Sequence, residues 1–126
     1  MATRSRIGIQ LADESILSVY HHWDGYPTWL GRILKTHYNT RDKVAELIDG
    51  GDMSTCWNDS NEPEYYSARG ENCPPRHHAT KYDYLAEGEE YAYIYTLKGE
   101  WVCYDRHQWG TKMPEIVKIP SGALAC

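Results

Sequence analysis

Phenylalanine is absent from this chain of 126 residues, which has 11 tyrosines and 5 tryptophans. Each of these rings carries an O–H or N–H group, and such side chains favour half-wet surfaces, interfaces and ligand pockets. The alternative is a small core built from tyrosine and tryptophan. Phosphate-binding loops of the Walker and dinucleotide types are also absent, because Gly50-Gly51 follows a predicted helix instead of opening one.

Long apolar runs are missing as well. No segment approaches the roughly 20 residues of a bilayer-spanning helix, and no signal-peptide core follows the first six residues. Acidic residues outnumber basic ones by 18 to 13, for a net charge of -5, and this weighs against a protein that coats DNA or RNA. We therefore expect a single cytoplasmic domain over residues 1–126 that binds neither membranes nor polymeric nucleic acid.

The four cysteines include no C-x-x-C pair. In a chain without a leader they are expected to be free thiols. Cys103 is expected to act as a small buried hydrophobic residue.

Alternating apolar residues over 6–12 and 15–23 predict a β-hairpin with a two-residue turn at Asp13-Glu14, or a bulged loop there. Asp24-Gly25 predicts the corner that follows, with Gly25 at positive φ.

Two helices are predicted next. Thr28 is the expected N-cap of the first, and Thr40 that of the second, which stops at Gly50-Gly51. Their inward faces are expected to carry Trp29, Leu30, Ile33, Leu34 and Tyr38 in the first, and Val44, Leu47 and Ile48 in the second.

Residues 52–88 show no periodicity, and a loop of that length in a compact domain usually means either a functional excursion or disorder. The aromatic residues scattered through it favour packing over disorder. A second hairpin over 91–97 and 100–104 is predicted around a Lys98-Gly99 turn, and a last strand over 115–119. The expected cross-strand pairs of the second hairpin are Tyr93–Tyr104, Ile94–Cys103 and Tyr95–Val102. The order ββαα-loop-βββ predicts an α+β fold, in which two helices pack on one face of an antiparallel sheet.

The sequence carries no recognised signature for metal binding or for nucleophilic catalysis. His21, His22 and Asp24 are potential metal ligands, with Cys73, His77 and His78 as a distant half-site, but no recognised ligand spacing joins them. Asp24 is instead expected to shape the turn, and the histidines to pack or hydrogen-bond. Cys73 beside His77 or His107 lacks any nucleophile signature. We therefore expect no enzyme, no cofactor and no metal.

Four stretches resemble a family of small accessory proteins encoded by cyanophages and other tailed phages. They are SRIGI at 5–9, YHHWDGYP at 20–27, LIDGGDMS at 47–54 and RGENCPP at 69–75. The resemblance implies a phage origin, and small phage accessory proteins often counter host defence. Some sequester nucleotide immune signals, such as the cyclic ADP-ribose isomers of Thoeris defence. The small size and the aromatic content of this chain suggest that it resembles these sequestering proteins.

A small anionic ligand that contains a base needs aromatic planes for stacking and a few cations for phosphate. The candidate planes are Trp23, Tyr26, Trp57, Tyr65, Tyr66 and Trp109, and the candidate cations are Arg4, Arg6, Arg69, Arg76 and Arg106. The preferred hypothesis is sequestration of a small nucleotide-like ligand in the host cytoplasm by a homo-oligomer. The alternatives are an inhibitor that binds a host protein directly and, less favoured, a small hydrolase.

Two arginines of the long segment test this hypothesis. Arg76→Ala is expected to weaken nucleotide binding about 10- to 100-fold by removing a charge-assisted phosphate contact, and Arg69→Ala to behave likewise. Stability should change by less than about 0.5 kcal/mol for an exposed arginine. Calorimetry and thermal melts on both variants check this; loss of stability without a specific loss of affinity would show that the arginines hold the loop through carboxylates.

Overall fold

The computed structural model describes residues 3–57, 60–87, 89–106 and 115–120. In these ranges the chain forms one sheet and three α-helices, which confirms the α+β class. The strands are β1 (Ser5–Gln10), β2 (Ile16–Trp23), β3 (Met53–Thr55), β4 (Glu64–Tyr65), β5 (Arg76–His78), β6 (Tyr91–Tyr95), β7 (Trp101–Asp105) and β8 (Glu115–Val117), and the helices are α1 (Arg32–His37), α2 (Arg41–Asp49) and α3 (Lys81–Glu87). None of the helices in the described ranges has the length and apolarity that crossing a bilayer requires.

The sheet has the strand order β4-β3-β2-β1-β6-β7-β8, and β5 also pairs with β2. It is mostly antiparallel, but the pairs β1–β6 and β2–β3 are parallel. Parallel neighbours require a crossover connection, and α1 and α2 lie in the connection from β2 to β3. The helices are thereby placed against the sheet.

The first hairpin turns through three residues and not through two. The Leu11 amide donates to the Ser15 carbonyl at 2.8 Å, and the Glu14 amide donates to the Leu11 carbonyl at 2.8 Å. Glu14, the last residue of this loop, has a φ of 69°, and a left-handed residue at that position is typical of a three-residue loop with a bulge. The bulged alternative is therefore the one observed.

The predicted register of the second hairpin is wrong by one residue. Tyr93 lies opposite Cys103, Ile94 opposite Val102 and Tyr95 opposite Trp101. The loop is again three residues long, because the Thr96 amide donates to the Glu100 carbonyl at 2.8 Å and Gly99 has a φ of 78°. One additional loop residue moves every cross-strand partner by one position.

The first predicted helix begins as a π-helical turn at Pro27–Gly31 and continues as α1. Thr28 lies inside that turn and is not the N-cap; Tyr26 occupies this position, with no side-chain hydrogen bond. The expected apolar face is confirmed, since Leu30, Ile33 and Leu34 are buried and Trp29 and Tyr38 pack against the same core.

The second helix agrees with its prediction. Thr40 Oγ1 accepts a hydrogen bond from the Lys43 amide at 3.3 Å, so the N-cap of α2 is confirmed. Val44, Leu47 and Ile48 are buried. After the helix, Gly51 adopts a φ of 88°.

The segment 52–88 was predicted as a loop, and that prediction is wrong. It contains β3, β4, β5, α3 and a 3-10 turn at Tyr66–Arg69. Helices α1 and α2 cover one face of the sheet, as expected, around Ile7, Val19 and Tyr93. Helix α3 covers the other face, where Tyr84 and Leu85 pack with Ile16, Ala92 and Ile94.

The corner after β2 depends on a close contact at Gly25. The positive φ belongs to Asp24, at 57°, and not to Gly25 as predicted. A Cβ atom on Gly25 would lie 2.5 Å from Ser5 Oγ and 2.7 Å from the Thr3 carbonyl oxygen. The Gly25 carbonyl also accepts a hydrogen bond from the Tyr93 hydroxyl at 2.7 Å. Glycine is required here because there is no room for a side chain.

Gly25→Ala is expected to lower the free energy of unfolding by about 2–3 kcal/mol, because the added methyl group overpacks Ser5 and the backbone of Thr3. Gly25→Val should cost more. Gly70→Ala is the matched control, since Gly70 has a φ of 85° and nothing lies within 4 Å of its added Cβ. That control isolates backbone strain, about 1–2 kcal/mol. Urea unfolding measures both; a Gly25→Ala cost below that of Gly70→Ala would contradict the steric account.

Candidate ligand-binding pocket

A cavity of about 480 Å³ opens between α1, α2 and the chain around β3 and β4. This volume is within the range of small-molecule sites, about 300–1,000 Å³. Trp57 and Tyr65, two of the eleven candidate ligand-binding residues predicted from sequence, lie in its wall. The cavity is lined by His37, Tyr38, Lys43, Glu46, Leu47, Trp57, Pro63 and Tyr65.

The aromatic walls of the pocket are held by hydrogen bonds. Trp57 Nε1 donates to the Tyr38 hydroxyl at 2.9 Å, and the Tyr65 hydroxyl donates to the Leu47 carbonyl at 2.7 Å. The Tyr65 ring also lies directly against the backbone of Gly50, where it leaves no room for a Cβ atom. The His37 ring stands 4.4 Å from the Trp57 ring, centroid to centroid. The planes are therefore positioned before any ligand arrives.

Burial disfavours the ionised form of the pocket phenols. It raises the pKa of Tyr38 to about 12, and it raises the pKa of Tyr65 well above its ordinary value. Among the described residues, the charged groups at the pocket are Lys43 and Glu46, which lie three residues apart on α2 and are exposed. From this part of the chain, a ligand would thus meet aromatic walls with one cation and one anion at the rim.

Sequence reasoning missed Tyr38, His37 and Lys43 as parts of this pocket. The sequence predicts Tyr38 on the apolar face of the first helix, and its ring does pack against the core. Its hydroxyl, however, accepts the hydrogen bond from Trp57 at the pocket. No local signal marks Lys43, because only the packing of α2 beside the end of α1 brings it to Trp57.

Trp23, Tyr26 and Arg106 do not line this pocket. Trp23 ends β2 with 45% of its surface exposed, and Tyr26 precedes the π-helical turn. Arg106 donates to the Glu89 carbonyl at 2.7 Å and to the Ala86 carbonyl at 3.3 Å. Trp109 lies outside the described residues.

Tyr66, Arg69 and Arg76 also lie away from the cavity. Arg69 forms an ion pair with Glu64, and its guanidinium stands 5.5 Å from the centroid of the Tyr66 ring. This arrangement is the one expected if Arg69 holds the segment through a carboxylate. Arg76 lies on β5 directly opposite Ser18 of β2.

His21, a metal-ligand candidate, is fully buried. Its Nε2 accepts a hydrogen bond from the Cys56 amide at 3.0 Å, and its Nδ1 lies 3.1 Å from Ser5 Oγ. Because Nε2 is the acceptor, Nδ1 carries the proton and donates to Ser5. His22 is bonded through Nδ1 to the Tyr20 hydroxyl at 2.6 Å. Within the described ranges, no three His, Cys, Asp or Glu side chains are arranged to hold a metal ion.

Three of the predicted free thiols fall in the described residues, and all three are free. Cys103 is fully buried, as expected. Burial raises the pKa of both Cys56 and Cys103 to about 12, and the pKa of Cys73 is also raised. Because the thiolate is the nucleophilic form, these sulfurs are poorly suited to attack a substrate. Cys126 lies outside the described residues.

Comparison with known proteins leaves the geometry as the basis for function. Neither the models of protein families, nor curated proteins, nor solved structures gave a match to this chain.

The buried, neutral His21 makes stability depend on pH. Burial lowers its pKa from 6.5 to about 3, so below pH 6.5 the unfolded chain binds a proton that the folded protein refuses. Stability from this group is fully present above pH 6.5 and falls by about 1.4 kcal/mol per pH unit as the pH drops toward 3.

Urea unfolding between pH 7 and 5 should show this slope, and His21→Gln should flatten it. His77→Gln, at an exposed histidine on β5, is the control and should keep the slope of the wild type. Equal slopes in the wild type and the His21 variant would mean that His21 is not held neutral.

Proposed function

We propose that this protein binds a small nucleotide-like ligand in the pocket between α1 and α2 and sequesters it unchanged. The observation that carries the proposal is the aromatic wall, in which Trp57, Tyr65 and Tyr38 are fixed by hydrogen bonds around about 480 Å³ of space. Fixed planes favour a flat ligand because little side-chain freedom is lost when it binds.

A nucleobase suits these walls. Stacking of a base on an aromatic side chain contributes about 1–3 kcal/mol. The rings are the part of the pocket that supplies most of the affinity in this proposal, and Trp57 offers the largest of them.

The two charges at the rim suit the rest of a nucleotide. Lys43 can pair with a phosphate, and Glu46 can accept hydrogen bonds from a ribose hydroxyl or an exocyclic amino group. The protein's net charge of -5 does not oppose this, because a small ligand needs only local cations.

Binding without reaction is supported by the lining itself. Among the described residues that line the cavity there is no Ser, Thr or Cys side chain, so this part of the chain presents no nucleophile of the common type to the ligand. Together with the resemblance to phage accessory proteins, this favours a counter-defence protein that removes a nucleotide immune signal in the host cytoplasm. The homo-oligomeric state stays a prediction.

Calorimetric titration with mononucleotides, cyclic dinucleotides and ADP-ribose derivatives tests the proposal. The protein should bind at least one of them, and Trp57→Leu should weaken that binding about 5- to 100-fold because the stacking plane is lost. Trp23→Leu is the matched control, since Trp23 is an exposed tryptophan outside the cavity, and it should bind like the wild type. Lys43→Met should weaken phosphate-bearing ligands roughly tenfold and spare the free nucleoside.

The fate of the ligand separates the remaining classes. Bound ligand should be released unaltered when the protein is unfolded by heat, and a changed ligand would identify an enzyme instead. Failure of every ligand to bind would overturn the proposal; capture of one host protein by the same preparation would then favour the inhibitor alternative.

A further inference from the structure

A second cavity, of about 490 Å³, lies between α2 and the end of the β1–β2 hairpin. Its volume also falls within the range of small-molecule sites. It shares Glu46 with the aromatic pocket and otherwise has its own lining. The residues around it are Ile9, Leu11, Leu17, Arg41, Ala45, Glu46, Ile48 and Asp49.

The floor of the second cavity is apolar and partly open to solvent. Ile9 and Leu17 face each other across β1 and β2, and Leu11 lies two residues after Ile9, on the same side of the hairpin. Ile9 and Ile48 are buried, whereas Leu11 and Leu17 are only half-buried although they pack against the core. An apolar group that enters the cavity would remove this leucine surface from water, which favours binding.

The helical rim of the second cavity has opposite charges at its two ends. Arg41, Ala45 and Asp49 follow one another at four-residue intervals and so form one line along α2. Arg41 and Asp49 are the first and last residues of this helix, about 12 Å apart along its axis. Arg41 Nη2 donates to the Gln10 carbonyl and thereby ties the start of α2 to the end of β1. The far end of the rim is acidic.

Negative charge at the acidic end is not compensated. Glu46 and Asp49 are three residues apart, and like charges at this spacing repel each other on a helix. Asp49 also lies at the C-terminal end of α2, where the macrodipole favours a cation, but the last turn of α2 contains no basic residue. Both carboxylates are exposed, and neither forms an ion pair or hydrogen bond within the described residues. A cation brought by a ligand would relieve this repulsion.

We propose that the second cavity binds a small monoamine, a molecule with one ammonium group on a hydrocarbon chain or ring. The hydrocarbon lies against Leu11 and Leu17, where it covers their exposed surface. The ammonium group donates hydrogen bonds to the carboxylates at the acidic end, which can only accept them. The site takes a cationic, apolar ligand, whereas the aromatic pocket is proposed to take an anionic one, and neither proposal depends on the other.

Titration of the wild-type protein with phenylethylammonium, followed by calorimetry and by NMR of the methyl groups, tests the site. Binding should be saturable with a Kd of about 1 mM or below, and the methyl resonances of Leu11 and Leu17 should shift. Two analogues separate the contributions to binding. Phenylethanol lacks the charge and ethylammonium lacks the large apolar group, and each should bind roughly tenfold more weakly or worse.

Variants of α2 locate the site. Asp49→Asn should weaken the binding of phenylethylammonium roughly tenfold, because a charged acceptor is lost. Asp49 lines this cavity only, whereas Glu46 also lines the aromatic pocket. Asp42→Asn is the matched control, since Asp42 is an exposed carboxylate of the same helix outside both cavities, and it should bind like the wild type. Ala45→Leu, at an exposed helical position, should fill the cavity and abolish binding.

The alternative is that the second cavity is a groove filled only by solvent. In that case phenylethylammonium does not bind saturably, or either analogue binds as tightly, or the Asp49 and Asp42 variants bind alike, and any of these results overturns the proposal. The wild-type titrations with the two analogues decide even if a variant fails to fold. Trp57→Leu should leave amine binding unchanged, so failure of this site and failure of the proposed function are observed separately.

Discussion

The hydrogen bond from the Cys56 amide to the buried Nε2 of His21 connects the core of the protein to its pocket. His21 is neutral because burial lowers its pKa to about 3, and only a neutral ring can accept at Nε2 while it donates from Nδ1 to Ser5. Cys56 in turn precedes Trp57, whose indole is held by Tyr38. The position of the main pocket wall thus depends on the protonation state of a histidine beneath it.

The same group extends to the corner after β2. Ser5 Oγ lies where a side chain on Gly25 would have to go, and the Gly25 carbonyl accepts from the buried Tyr93 hydroxyl. Hydrogen bonds and close contacts therefore connect Ser5, His21, Gly25, Cys56 and Tyr93, which come from four separate parts of the chain. We expect stability and pocket geometry to be coupled here, because the His21 ring holds the backbone of Cys56, the residue before Trp57.

The sheet also separates the predicted ligand residues into two chemical environments. Tyr65 packs with α2 beside Trp57, whereas its neighbour Tyr66 lies with Arg69 outside the cavity. Arg6 and Arg76 lie on the face away from the pocket. A single site built from all the described aromatic and cationic candidates is incompatible with this separation.

How far the fold was predictable depended on the length of each element. The first hairpin and α2 have enough residues to show their periodicity, and the Thr40 cap could be identified from its residue type and spacing. Strands β3, β4 and β5 have two or three residues each, too few for alternation to be visible. Both hairpins turn through three residues instead of two, as the bulged alternative predicts for the first hairpin, because the positive φ of Glu14 and Gly99 is part of a three-residue loop.

The sequence by itself determined the class of the fold, the buried faces of the helices and the presence of aromatic groups with polar atoms, since all of these follow from residue type and local spacing. The tertiary structure alone decided which of those groups meet. Trp57 and Tyr65 face Tyr38 and Lys43 only because β3 pairs in parallel with β2 and brings the end of that segment beside α2. Contacts between distant residues depend on strand pairing and packing, and no local pattern in the chain encodes them.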